Sequence, residues 1–116
     1  GRSEYVAELQ GRASQVQHAL QTRLWNAEDM IFSNKLWQSD EWIPKDTSGS
    51  TIVAPTSLYP MLSGMLADDR IKSMIVRWLT NASELCANPA CRYGLPSISR
   101  SSNAFGDNDY WRGRVW

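Results

Sequence analysis

Ser3-Glu4-Tyr5-Val6-Ala7-Glu8-Leu9-Gln10-Gly11-Arg12-Ala13-Ser14-Gln15-Val16-Gln17-His18-Ala19-Leu20-Gln21-Thr22-Arg23-Leu24-Trp25 carries the strongest periodic signal in the chain. Its apolar residues Tyr5, Val6, Leu9, Ala13, Val16, Leu20 and Leu24 recur mostly in steps of three and four, the spacing that lines one face of an α-helix. Gly11 interrupts the run at a cost of about 1 kcal/mol relative to Ala, which a helix of this length tolerates. From Asn26 to Pro44 the period vanishes, and Ile31 to Trp37 reads as a short extended stretch or loop. Lys45 to Ser50 is polar and turn-rich, the composition of a mobile surface loop. A second helix is predicted from Thr56 or Ser57, with Pro60 in its first turn and Leu58, Met61, Leu62 and Met65 facing inward. Asp68 and Asp69 open a third, whose Ile71, Met74, Ile75, Trp78 and Leu79 keep helical spacing to an end near Asn81. Beyond Cys86, the residues Pro89, Gly94, Pro96, Gly106 and Gly113 forbid any long regular element. Three amphipathic helices with long irregular connections predict an all-α fold with long loops.

Composition bounds the partners. The 116 residues carry 12 Lys+Arg against 12 Asp+Glu, so no net field gathers nucleic acid or anionic lipid, and nucleic acid is excluded as an expected partner. A 42% hydrophobic and 21% charged chain is neither a disordered tail nor a fibrous repeat. No window approaches the roughly 18 uninterrupted apolar residues of a membrane span, and the first 30 residues are polar rather than signal-like. Six tryptophans are the compositional oddity. Trp25, Trp37, Trp42 and Trp78 are expected in the core, whereas Trp111 and Trp116 sit in a segment crowded with Gly, Asp and Arg.

The chemistry-bearing residues are few. Cys86 and Cys91 flank a Pro-containing turn that can close a small disulfide loop, and Asn81-Ala82-Ser83 fits an N-glycosylation acceptor at Asn81. The two features tilt the reading toward the secretory pathway or the endoplasmic reticulum without fixing the compartment. Two thiols and the single His18, itself within a helical pattern, fall short of a four-ligand zinc site, and no metal and no cofactor are called for. No phosphate-binding loop, dinucleotide motif or nucleophile elbow occurs.

Gly106-Asp107-Asn108-Asp109-Tyr110-Trp111-Arg112-Gly113-Arg114-Val115-Trp116 is the densest segment. Flat aromatic faces stack on the C–H face of a sugar ring, Asp, Asn and Arg bond its hydroxyls, and glycines let backbone approach closely. A buried Trp beside a loop-pinning Arg–Asp pair explains the same composition. Asp107 and Asp109 are not read as an acid/base pair, since two carboxylates from one loop approach a glycosidic bond from the same side.

Three segments, Pro55-Thr56-Ser57-Leu58-Tyr59-Pro60-Met61-Leu62-Ser63-Gly64, Gly94-Leu95-Pro96-Ser97-Ile98-Ser99-Arg100 and Gly106 to Trp116, in that order and spacing, resemble glycoside hydrolase family 63. That family includes processing α-glucosidases and mannosylglycerate hydrolase-like enzymes. Leu24-Trp25-Asn26-Ala27-Glu28-Asp29-Met30-Ile31-Phe32-Ser33-Asn34 is similar to the turn that precedes these motifs, with Met30 where the family has glycine. The likeness runs from about Leu24 to the end of the chain.

The resemblance implies a six-hairpin α/α toroid that inverts configuration at an α-linked sugar with two carboxylates. It implies that Tyr110 and Trp111 line the subsite for the non-reducing sugar, that Arg112 and Gly113 shape its wall, and that the catalytic acid lies upstream and the base downstream. About twelve helices of ~11 residues with ~5-residue connections need on the order of 190 residues, so 116 cannot close such a ring. Residues 1–116 are thus expected to be one segment of a catalytic domain, incomplete at both ends. The expected partners are an oligosaccharide or small glycoside, the remainder of the same domain, or a second copy covering the exposed apolar faces. A sugar-binding module without chemistry and a helical interaction piece with Trp111 and Trp116 buried are the competing readings.

Overall fold

The computed structural model describes residues 1–86, 94–106 and 108–113. Helix α1 spans Arg2–Ala19, and a π-helical turn, Leu20–Leu24, continues it. Glu4 lies in the first turn, where negative charge meets the helix dipole. Glu8 and Arg12 form an i,i+4 pair on the solvent side. No residue of α1 is buried: Tyr5, Val6, Leu9 and Val16 keep the predicted spacing but lie exposed. Only in the π turn does the apolar stripe reach the core, through Leu20 and Leu24.

Residues 25–43 form two antiparallel ribbons, β1 (Trp25–Asn26) with β2 (Ile31–Phe32), and β3 (Asn34–Lys35) with β4 (Trp42–Ile43). Asn26 closes the first turn: its Oδ1 accepts the amides of Glu28 and Asp29, and its Nδ2 donates to Asp29 Oδ2 at 2.7 Å. Met30, with φ of 54°, completes that turn in the left-handed region, which explains why glycine suits the position. Trp25 packs edge-on against Phe32 across the ribbon, ring centroids 5.1 Å apart.

These ribbons overturn the expected all-α architecture and, with it, the partial α/α toroid. The described residues form a small mixed fold of three helical stretches and two short antiparallel sheets. The physical reason lies between Trp25 and Ile43, where aromatic and β-branched residues without a 3.6-residue period are joined by side-chain-closed turns.

Pro55–Ser63 is a 3₁₀ helix rather than an α-helix. It starts one residue before the predicted cap, which moves Pro60 from the first turn to the interior, where proline cannot supply the α-helical amide. Gly64, with φ of 68°, ends it in the left-handed cap that glycine favours. Leu58 is buried and Met61 partly so, whereas Leu62 and Met65 turn outward, against expectation. Helix α2, Asp68–Met74, follows with Asp68 and Asp69 in its first turn and runs into a second π turn, Ile75–Leu79. Arg70 ties its start to the end of the first helix, donating to the Gln21 carbonyl and lying 4.9 Å from the Trp25 ring.

The core gathers Ile31, Phe32, Val53, Leu58, Met74, Trp78 and Leu85, with Leu20, Leu24, Trp25 and Leu95 among its flanks. Trp78 is in the core as expected, and Trp25 and Trp42 are half-buried. Trp37 is not: it is 88% exposed at the tip of the β3–β4 connection, where Leu36 and Glu41 close a tight turn that carries the side chain outward.

Candidate functional site

Two polar clamps hold the loops behind the site. Glu84 is buried, and its carboxylate accepts from Arg77 at 3.0 Å, from Ser101 Oγ at 2.5 Å and from Ser99 Oγ. The Ser99 amide donates to the Val53 carbonyl at 2.7 Å, and Arg100 Nη1 to the carbonyls of Glu84 and Leu85. Residues 97–102 are thereby fixed to the turn after α2 and to the strand-like stretch before the 3₁₀ helix.

The second clamp is Asp46. Its Oδ1 accepts from Ser48 Oγ at 2.6 Å and from the amides of Ser48 and Ser50, while its Oδ2 accepts from Ser102 Oγ and the Asn103 amide. The Ser48 hydroxyl, then Ser102 and the Ser50 and Asn103 amides, stabilise the ionised form and lower its pKa to about 2. The loop expected to be mobile is therefore closed by its own carboxylate and fastened to Ser102 and Asn103. Asp, Ser and Ser at alternate positions 46, 48 and 50 were the available signal for an Asx-closed turn.

A cavity of about 630 Å³ lies against the start of the 3₁₀ helix, within the size range of small-molecule sites. Pro55, Thr56 and Tyr59 line it from the 3₁₀ helix, Leu95, Pro96 and Ser97 from the following loop, and Trp111 from the last segment. Three stretches up to 56 residues apart in sequence, Pro55 to Trp111, therefore meet around one space. Apolar rings and hydroxyls dominate the lining, as stacking and hydrogen bonding to a sugar require.

The last segment is shaped by its backbone. Gly106 donates to the Arg112 carbonyl at 3.0 Å and accepts from the Asp109 amide at 2.9 Å. A Cβ on Gly106 would come within 2.8 Å of Asp109 Oδ2, so a larger residue here would displace the Asp109 carboxylate. The Gly113 carbonyl accepts from the Ser97 amide at 3.4 Å, joining this turn to the cavity-lining loop.

Of the expected sugar-binding residues, Trp111 lines the cavity while remaining 63% exposed. Tyr110 stands beside it, edge-on with centroids 5.0 Å apart at 77°, outside the cavity lining. Arg112 faces a neighbouring cavity of about 430 Å³, which Trp111 also lines together with Lys45 and Asp46. Gly113 is buried and acts through its backbone. Lys45 and Asp46 were not singled out by the sequence reading.

Elsewhere, Asn81 is half-buried, its Oδ1 accepting the Ser83 amide and its Nδ2 donating to the Arg77 carbonyl. Cys86 is disulfide-bonded, and Cys91 lies outside the described residues, as do Asp107 and Arg114, Val115 and Trp116. His18 is exposed in the last turn of α1. Among the described residues no three His, Cys, Asp or Glu side chains converge as a metal site, and no helix is long and apolar enough to cross a membrane.

Glucosylglycerate hydrolase of Mycolicibacterium hassiacum is 32% identical over 79 residues, a match covering 67% of this chain and 16% of that enzyme. Residues 1–116, the whole chain, match the family described as the mannosylglycerate hydrolase MGH1-like glycoside hydrolase domain, and the chain belongs to that glycoside hydrolase family.

Proposed function

We propose that the chain supplies the sugar-holding wall of a glycosidase, resembling family 63, that cleaves an α-linked glucosyl unit with inversion. The observation that carries this reading is the cavity in which the 3₁₀ helix, the Leu95–Ser97 loop and Trp111 meet. The indole offers a flat face for the pyranose, Tyr110 braces it from the side, and Thr56 and Ser97 line the same space with hydroxyl side chains of the kind that bond sugar hydroxyls. The acid and base come from polypeptide outside residues 1–116, in line with the chain spanning only 16% of the length of its glucosylglycerate-hydrolysing relative. That relative makes a glucoside of glyceric acid the first substrate to try, with α-glucosyl oligosaccharides second.

The exposed stripe of α1 fits the same reading. Tyr5, Val6, Leu9 and Val16 present apolar area that is worth about 1.5–3 kcal/mol per large side chain when fully buried. We assign its partner to the remainder of the catalytic domain. An alternative in which the cavity only captures sugar makes the same contacts without hydrolysis.

The test is to incubate the full-length protein with glucosylglycerate and with α-glucosyl disaccharides and to follow the anomeric protons by NMR. Release of β-glucose first is expected. First release of α-glucose contradicts inversion, and sugar binding without hydrolysis favours the capture module.

A further inference from the structure

Glu84 is a buried acid that does not itself line the sugar cavity. It is 3% exposed, and its carboxylate takes three donors: Arg77 Nη1 on Oε1 at 3.0 Å, and the hydroxyls of Ser99 and Ser101 on Oε2. Withdrawing a charge from water carries a cost that a guanidinium still 42% exposed offsets only in part, and apolar residues of similar size often hold a core as well or better. Stability is therefore a weak reason for an acid at this position. A carboxylate adds direction instead: it only accepts, so both serine hydroxyls must turn toward it.

Ser99 is the junction through which that direction reaches the site. It is 2% exposed, and its amide donates at 2.7 Å to the carbonyl of Val53, directly before the cavity-lining Ala54, Pro55 and Thr56. Two residues ahead of it, Ser97 lines the cavity and donates its amide to the carbonyl of Gly113, two residues beyond Trp111. The start of the 3₁₀ helix, the Leu95–Ser97 loop and the Trp111 turn are thus all tied within two residues of Ser99 or Ser97. We propose that Glu84 is a positioning residue for the sugar cavity: by fixing Ser99 it sets the spacing of the three stretches between which the pyranose is held. The inference rests on the glycosidase reading above and adds to it the residue that governs how tightly the site grips its sugar. Misplacing binding groups by about 1 Å is enough to cost a large factor in their action, so a loosened Ser99 should be felt at the cavity.

The experiment measures KM, kcat and Tm of the full-length protein on glucosylglycerate for Glu84→Leu, Ser99→Ala and Glu84→Gln. Met30→Val, in the distant β1–β2 turn, is the control for lost stability alone. Glu84→Leu is expected to raise KM about tenfold or more with kcat within about threefold, since the wall binds sugar and the reacting acids lie elsewhere. Ser99→Ala keeps Glu84 paired with Arg77 and Ser101, and should raise KM about fivefold; it decides the matter if Glu84→Leu does not fold. Glu84→Gln keeps the length of the side chain and can donate to both hydroxyls while its carbonyl faces Arg77, so KM should return toward the wild-type value. Met30→Val should lower Tm and leave KM unchanged. A wild-type KM in folded Ser99→Ala, or a KM that rises with falling Tm in Met30→Val as it does in the Glu84 variants, overturns the positioning role while the glycosidase reading stands. If the unmodified protein neither binds nor cleaves glucosylglycerate or α-glucosyl disaccharides, the glycosidase reading fails and the positioning role falls with it.

Discussion

Trp78 donates its indole N–H to the carbonyl of Asp29 at 2.6 Å, fastening the β1–β2 turn to the C-terminal end of the second helix. The bond joins residues 49 positions apart, and it does so from a core tryptophan that is 4% exposed. Replacing Trp78 by Phe keeps much of the apolar bulk but leaves the Asp29 carbonyl without this donor. Asp29 is half-buried, so losing the bond costs about 0.5–1.5 kcal/mol, and the smaller ring adds a packing loss. Chemical denaturation of Trp78→Phe should show a lowered midpoint. An unchanged midpoint would mean that the turn is held by Asn26 alone.

The same turn makes a prediction about Met30. Its left-handed φ of 54° strains any residue with a Cβ by roughly 1–2 kcal/mol, and a β-branched residue by more. Met30→Gly removes that strain, offset in part by the extra freedom glycine gives the unfolded chain, about 0.5–1 kcal/mol. The expected outcome is equal or higher stability for Met30→Gly and a clear loss for Met30→Val. Thermal melts of the two variants check it, and a Val variant as stable as wild type would rule the strain out.

Asp46 gives the stability a pH dependence of known sign. Its carboxyl is held at about 2 in the fold against 3.8 for the free group, chiefly by the Ser48 hydroxyl and then by Ser102 and two amides. A lowered folded pKa contributes stability that is fully present above about pH 4 and is lost as pH falls through 2. Asp46→Asn should therefore be less stable than wild type at pH 6, with the gap narrowing between pH 4 and 2. Urea midpoints measured across that range are the check, and a gap independent of pH would show that the loop is held by shape and not by charge.

Much of this layout is legible in the sequence because it is local. The steps of three and four from Tyr5 to Leu24 give α1 and its continuation, and Asp68 with the Ile71–Leu79 spacing gives α2. Ile31 to Trp37 reads as extended and holds β2 and β3, but the pairing is not legible, since each strand is two residues long and is fixed by side-chain bonds such as Asn26 to Asp29 rather than by a period. Trp37 shows the same limit: its size argues for burial, yet the turn that presents it to water is set by the Leu36–Glu41 pairing. At the site, Trp111 is visible as an aromatic among glycines and charges. The cavity that gives it a role depends on stretches as far apart as Pro55, Ser97 and Trp111 itself.

The central claim is that the Trp111 indole holds the sugar, and the most direct measurement is the kcat/KM of full-length Trp111→Ala and Trp111→Phe proteins on an α-glucoside. A loss of about tenfold or more in the Ala variant, equivalent to ~1.4 kcal/mol of lost transition-state binding, with partial recovery in the Phe variant, is the expected result. Unchanged kinetics in a folded Trp111→Ala protein would contradict it.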